Sequence, residues 1–245
     1  MRQTLTAMAC ILAAAPLAAQ EMTDAQRSEV TEVQEPMPEK IEVPEGGVPS
    51  DATVLFGGDN LDAWESVDGG PAEWTVEDGI LRVNRDSGAI RTTESFCDAQ
   101  LHVEFRSPPN NEGHDGQDRG NSGVFLQERY EVQVLDSYDN PTYPNGQAGS
   151  IYKQHVPLVN ASRAPEEWQS YDIIFEAPIF EDDTLRRPAY VTVLHNGVVV
   201  QNHAQIQGAT EWIGYPTYEA HDCAPIMLQD HDADVAYRNI WIRPL

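Results

Sequence analysis

Tyr130-Glu131-Val132-Gln133-Val134-Leu135-Asp136 decides how the chain is read. Apolar and polar residues alternate along it. Successive side chains of a strand point to opposite faces, so Glu131 and Gln133 share one face and Val132 and Val134 the other. The valine face needs a core. The polar face either meets water or floors a binding groove. Arg119 and Asn121 stand just before this stretch and Lys153 and Gln154 follow it. Gln229, Asp230 and His231 lie near the end of the chain. A site exists if these groups converge.

The surrounding sequence supports a β fold. Gln100 to Arg106 alternates with Leu101, Val103 and Phe105 on one face. Ser122 to Gln127 and Tyr130 to Leu135 read as a hairpin pair. Glu77-Asp78-Gly79 separates two short strand patterns, and Asn196-Gly197 separates Val191–Leu194 from Val198–Val200, the strongest hairpin signal in the chain. Ser150 to His155 is expected as a returning strand. No helical period is sustained beyond residue 50. Many short strands between turn residues mean an all-β sandwich or barrel.

Residues 1–19 read as a secretory signal, with Arg2, an apolar run from Ala7 to Leu17, and Ala18-Ala19. The run is too short to span a bilayer. Cys10 sits inside it, which argues against a lipoprotein. A periplasmic or secreted protein is expected, without membrane insertion. Residues 20–50 are acidic, carry Pro36, Pro38, Pro44 and Pro49, and have no aromatic residue; they read as a disordered linker in which Asp24 to Val33 could form a marginal helix. Residues 51–245 suit one domain.

The formal net charge is −25, and residues 50–245 hold 12 Arg and Lys against 32 Asp and Glu, a net of −20. Such a surface repels nucleic acid and anionic membranes. It suits a neutral or cationic ligand or a metal ion, and it also serves plain solubility. Beyond the signal two cysteines remain, Cys97 and Cys223; they form a bridge or are two separately buried thiols.

Lys153 is the sole lysine in residues 50–245. Beside carboxylates it could hold an oxyanion; taken alone it reads as a surface lysine near a turn. Glu131 is a candidate base, with a solvent-facing strand residue as the plain alternative. Asp136 falls on the opposite face unless a bulge re-aims it. His231, between Asp230 and Asp232, could act as acid, base or metal ligand. A divalent ion held by Glu131, Asp136 or His231 stays open. Glu112, Asp115 and Asp118 could bind Ca²⁺, but their spacing is not that of an EF-hand, and a solvated loop explains them better. The chain carries no G-x-S-x-G, P-loop, dinucleotide fingerprint or H-E-x-x-H, which removes those enzyme classes.

Several segments together carry a resemblance: Leu55-Phe56-Gly57-Gly58-Asp59-Asn60-Leu61-Asp62-Ala63-Trp64, Trp74-Thr75-Val76-Glu77-Asp78-Gly79-Ile80-Leu81, Arg119-Gly120-Asn121-Ser122-Gly123-Val124-Phe125, the Tyr130–Ser137 stretch, Gly149-Ser150-Ile151-Tyr152, Pro225-Ile226-Met227-Leu228-Gln229-Asp230-His231 and Arg238-Asn239-Ile240-Trp241-Ile242. Over about residues 52–245 the chain resembles the 3-keto-disaccharide hydrolase family, also described as a 3-keto-glucoside lyase/hydratase domain. The resemblance implies a concanavalin-like jelly-roll sandwich that binds a small carbohydrate already oxidised at C3. On that chemistry Glu131 or His231 is assigned as the base that removes the C2 proton. Lys153 and Arg119 would hold the enolate oxygen. Asn121, Gln133, Asp136, Gln154, Gln229 and Asp230 would contact the substrate. Elimination at C1 and hydration would then give net hydrolysis.

Three rivals remain at this level. One is a non-catalytic carbohydrate-binding module using Tyr138, Tyr143, Tyr152 and Trp212 as platforms. Another is a conventional glycosidase pairing Glu131 with Asp136 or Asp230. The third is a purely structural envelope protein without a deep polar pocket.

Overall fold

The computed structural model describes residues 21–109 and 114–245. The expected signal segment and Glu112 lie outside the described residues. The chain divides into two units, residues 1–40 and 41–245. In the first, a short helix α1 (Asp24–Glu29) is capped by Thr23 and Gln26 in a reciprocal capping box and buries no residue.

The second unit is an antiparallel β-sandwich. Its strands are β1 (Thr53–Phe56), β2 (Trp64–Ser66), β3 (Thr75–Glu77), β4 (Ile80–Arg82), β5 (Ile90–Phe96), β6 (Ala99–Arg106), β7 (Ser122–Leu126), β8 (Tyr130–Val134), β9 (Gln169–Glu176), β10 (Ile179–Glu181), β11 (Thr184–Arg187), β12 (Tyr190–His195), β13 (Val198–Gln205), β14 (Ala224–Leu228) and β15 (Ala236–Pro244). The larger sheet runs β13-β12-β9-β6-β15-β4-β3, with β1 also on β15. The smaller runs β2-β5-β14-β7-β8, and β10-β11 form a separate ribbon. Among the described residues no helix is long and apolar enough to cross a membrane.

Alternation places the core. On β6, Leu101, Val103 and Phe105 are buried while their neighbours are half-exposed. They meet Val124, Val132, Val134 and Leu228 of the smaller sheet in one apolar cluster. Polar links cross the same interior: the Tyr171 hydroxyl donates to Gln133 O at 2.7 Å, and Tyr237 Oη lies 2.7 Å from Ser122 Oγ. Cys97 and Cys223 are joined by a disulfide.

Turn chemistry follows the sequence at Asn196-Gly197, where both residues have positive φ (52° and 77°) as a two-residue hairpin turn requires. One expectation fails. Residues 150–155 form a turn with isolated bridges Val132↔Ile151 and Ile151↔His155, not a strand. Lys153 at φ 58° breaks the extended path. The turn nevertheless closes the β8 edge, because Gln133 N donates to Ser150 O and Gly149 N to Gln133 O, both at 3.0 Å.

Candidate functional site

The β7–β8 hairpin builds the floor of the site. Its register pairs Gly123 with Gln133 and Phe125 with Glu131, so these four residues share the face turned away from the core. β14 extends that face by pairing Met227 with Phe125, and Gln229 N donates to Gly123 O just beyond it. Above this floor lies a cavity of about 200 Å³. Asn121, Glu131, Gln133, Gln229 and His231 line it, together with Phe125, Tyr152, Thr210 and Trp212.

Glu131 is 4 % exposed although it points away from the core. The segments 149–155 and 207–213 cover it. Tyr152 N donates to Glu131 O at 3.2 Å, and Glu131 N donates to Thr210 Oγ1 at 3.0 Å. Taking a carboxylate out of water disfavours its charged form. Burial accordingly pushes the Glu131 carboxyl up from the usual carboxylate range to about 8. When its amide nitrogen faces inward, Gln133 donates to Ser122 O and to Glu131 Oε1, each at 2.9 Å. Tyr152 carries the cover further, since its hydroxyl lies 2.7 Å from that of Tyr143. Burial and this bond hold the Tyr152 phenol well above the ordinary tyrosine range.

The remaining lining groups differ in how free they are. The Asn121 amide donates to Gln117 O at 2.8 Å. Gln229 Oε1 is buried without a hydrogen-bond partner among the described residues, so it is an acceptor available to a ligand. His231 is exposed at the mouth and also lines a neighbouring cavity with Asp86, Asp230 and Asp232.

Five expected residues therefore converge: Asn121, Glu131, Gln133, Gln229 and His231. Five others are placed elsewhere. Arg119 Nε donates to Asp136 Oδ2 at 2.8 Å, so a half-buried guanidinium ties down a buried carboxylate as a structural link at the strand end. Asp230 turns its oxygens to backbone, accepting from Gly88 N at 3.2 Å and Asp232 N at 3.0 Å. Gln154 bridges Gly208 O and Gln207 N. Lys153 donates to Trp212 O at 2.6 Å and does not line the Glu131 cavity. Neither Asp136 nor Asp230 lines that cavity, so a paired-carboxylate glycosidase centre is not assembled there.

The expected alternative of a divalent ion held by Glu131, Asp136 or His231 finds no three-ligand set in this arrangement. Asp136 is committed to Arg119. Among the described residues no three His, Cys, Asp or Glu groups are placed to hold an ion. Asp115 precedes and Asp118 ends a 3₁₀ turn, Gly116–Asp118, and both are exposed.

Phe125 and Thr210 line the site without any local signal in the sequence, and Tyr152 and Trp212, expected as platforms of a binding module, line it too. Pairing with Glu131 across the hairpin would have located Phe125. Thr210 and Trp212 lie in an irregular segment with no local pattern to mark them.

A crystal structure of a "putative glycosyl hydrolase" from Parabacteroides distasonis is 50 % identical, with a TM-score of 0.86, covering 94 % of this chain and all of that one. A second such structure from the same organism is 21 % identical at a TM-score of 0.58, over 84 % of this chain and all of that one. It shares the sandwich fold. No curated protein matches the chain. Residues 51–243 match the family of the 3-keto-alpha-glucoside-1,2-lyase-like domain, and the chain belongs to that family.

Proposed function

We propose that this protein is a glycoside-cleaving hydrolase or lyase whose substrate has been oxidised at C3, and that it works by elimination and not by an oxocarbenium route. One observation carries this reading: a single buried carboxyl, Glu131, kept protonated near neutral pH at the end of a small polar cavity with His231 at its mouth. A conventional glycosidase needs a second convergent carboxylate, and the cavity has none.

The cavity is smaller than the usual ~300–1,000 Å³ of sites that enclose a drug-sized ligand. That suits one sugar ring inside and the leaving group outside. A C3 ketone acidifies the C2 proton. His231, at the open side of the cavity, removes it as general base. The electron pair forms an enolate, stabilised by the donors facing the cavity. It then expels the C1 oxygen, to which Glu131 gives its proton. The product is an unsaturated 3-ketone with a C1=C2 double bond. Water adds at C1, losing its proton to Glu131, and the protonated His231 returns a proton to C2. Both residues are regenerated and the sum is hydrolysis. Gln229 Oε1 accepts a sugar hydroxyl.

The test is to incubate the protein with a 3-keto glucoside and with its unoxidised parent in deuterated water. Release of the leaving group from the keto form alone, with deuterium at C2 of the product, is expected. Cleavage of the parent, or release without C2 exchange, overturns the elimination route.

A further inference from the structure

Beside the Glu131 cavity lies a larger one of about 430 Å³. Tyr152 lines both. Trp212 lines the first and accepts, at its carbonyl, from the Lys153 ammonium, which lines the second. The two cavities thus adjoin across one ring and one hydrogen bond. A group leaving C1 of a sugar in the first has this second space next to it.

The second cavity is built around one cation. Lys153 sits in the left-handed region at φ 58°, which is strained for a non-glycine residue and persists only where the surroundings impose it. The surroundings here are the Lys153 N donation to Asn145 O at 2.7 Å and the Nζ donation to Trp212 O at 2.6 Å. The ammonium stands 5.8 Å from the Tyr143 ring centre and 5.7 Å from that of Tyr152. Of its three donors, one has a hydrogen-bond acceptor among the described residues. Glu211 lines the same cavity but forms no ion pair with it within 4.0 Å. Tyr215, 91 % exposed, stands at the rim. In a domain of net charge −20 this is the single lysine, presented with donors unspent between aromatic rings.

We propose that the second cavity receives the leaving group of the glycoside, and that Lys153 selects one bearing a carboxylate, such as a phenolic acid. The proposal rests on the reading that the Glu131 cavity holds the sugar ring. Aromatic walls stack against a flat or ring-shaped group, and a carboxylate supplies the acceptor that the free ammonium donors lack. Without Lys153 the acidic surface would repel that same substrate.

The test is calorimetric binding of two isosteric 3-keto C-glucosides, 4-carboxybenzyl and 4-carbamoylbenzyl, whose C1–C bond is not cleaved during the titration, each as both anomers. The carboxylate is expected to bind wild type about three- to five-fold tighter at low salt, the size of a partly exposed ion pair, with the advantage shrinking at high salt. Lys153→Arg keeps the preference and Lys153→Met abolishes it. Equal affinities in wild type, a preference indifferent to salt, or one that survives Lys153→Met overturns the proposal. The salt series on wild type decides the matter even if Lys153→Met fails to fold. Leaving-group release from the neutral 4-carbamoylphenyl 3-keto O-glucoside is followed separately. Its absence alongside a salt-dependent carboxylate preference would sink the elimination chemistry and leave the subsite standing.

Discussion

A methyl group placed on Gly123 would lie 2.8 Å from Glu131 Oε1 and 2.7 Å from Phe125 Cε2. The glycine of β7 therefore leaves open the space that the β8 carboxyl occupies. Gly123→Ala is expected to cost ~1–3 kcal/mol, as overpacking of a close-packed site does. It should also lower kcat against 3-keto glucosides more than it raises KM, because the displaced group is the proton donor. A melting curve and a kinetic comparison check both. Unchanged kcat in a folded variant would mean that the carboxyl position does not matter.

Glu131→Gln keeps shape and hydrogen bonding while removing the transferable proton. A loss of about 10²–10⁴ in kcat is expected, the usual weight of general acid–base catalysis. The loss should grow as the leaving group becomes a poorer one, since those need protonation most. His231→Ala should lose a comparable factor with the leaving-group trend of wild type. Because His231 is exposed, its removal should change stability by under ~0.5 kcal/mol. Release assays on an aryl series, with denaturation curves, separate the two roles.

Glu131 also makes a signed prediction about pH. Its folded value is raised by burial, from 4.5 to about 8. Between those values the folded protein holds a proton that the unfolded chain has released. Stability from this group therefore falls as pH rises through that window and levels off above it, by several kcal/mol at most at ~1.4 kcal/mol per pH unit. Urea titrations should show the decline in wild type and its absence in Glu131→Gln. Turnover should fall along the alkaline limb as the same proton is lost near pH 8.

The Cys97–Cys223 bridge spans 126 residues. Its loss should cost ~2–5 kcal/mol. Cys223 also ends the irregular segment, before β14, that carries Thr210 and Trp212. His221 assists there, its Nε2 lying 2.7 Å from Tyr130 Oη. Cys97→Ala/Cys223→Ala is thus expected to raise KM as well as lower the melting temperature. A variant destabilised with KM unchanged would show that the bridge does not hold the cavity wall.

The fold was largely legible in the sequence because its devices are local. Alternation at Leu101, Val103 and Phe105 named an inward face, and Asn196-Gly197 named a turn whose backbone needs those residue types. Where structure departs from the sequence pattern, the local signal is missing or contradictory. The β7–β8 turn uses Gln127 and Glu128 at φ 54° and 57° without a glycine, so its register could not be read from composition. Residues 150–155 look extended, and only Lys153 in a left-handed conformation turns them. The β10–β11 ribbon is too short for its period to show: Phe180 and Leu185 are half-buried and pair across it, and most of their neighbours are exposed.

The sequence by itself determined that Glu131 and Gln133 share a face opposite the valines of β8, because a strand's side-chain period of two is a property of the backbone. Only the tertiary structure decided which distant polar residues join them. Asn121, Gln229 and His231 arrive by strand pairing and loop closure. Arg119 pairs with the buried Asp136 carboxylate, and Lys153 is drawn to a carbonyl of the segment that covers the site. The physical reason is that a charge's role depends on its partner and its solvation. Both are set by long-range packing of β7, β8, β14 and the covering segments, and a strand's own alternation holds no record of either.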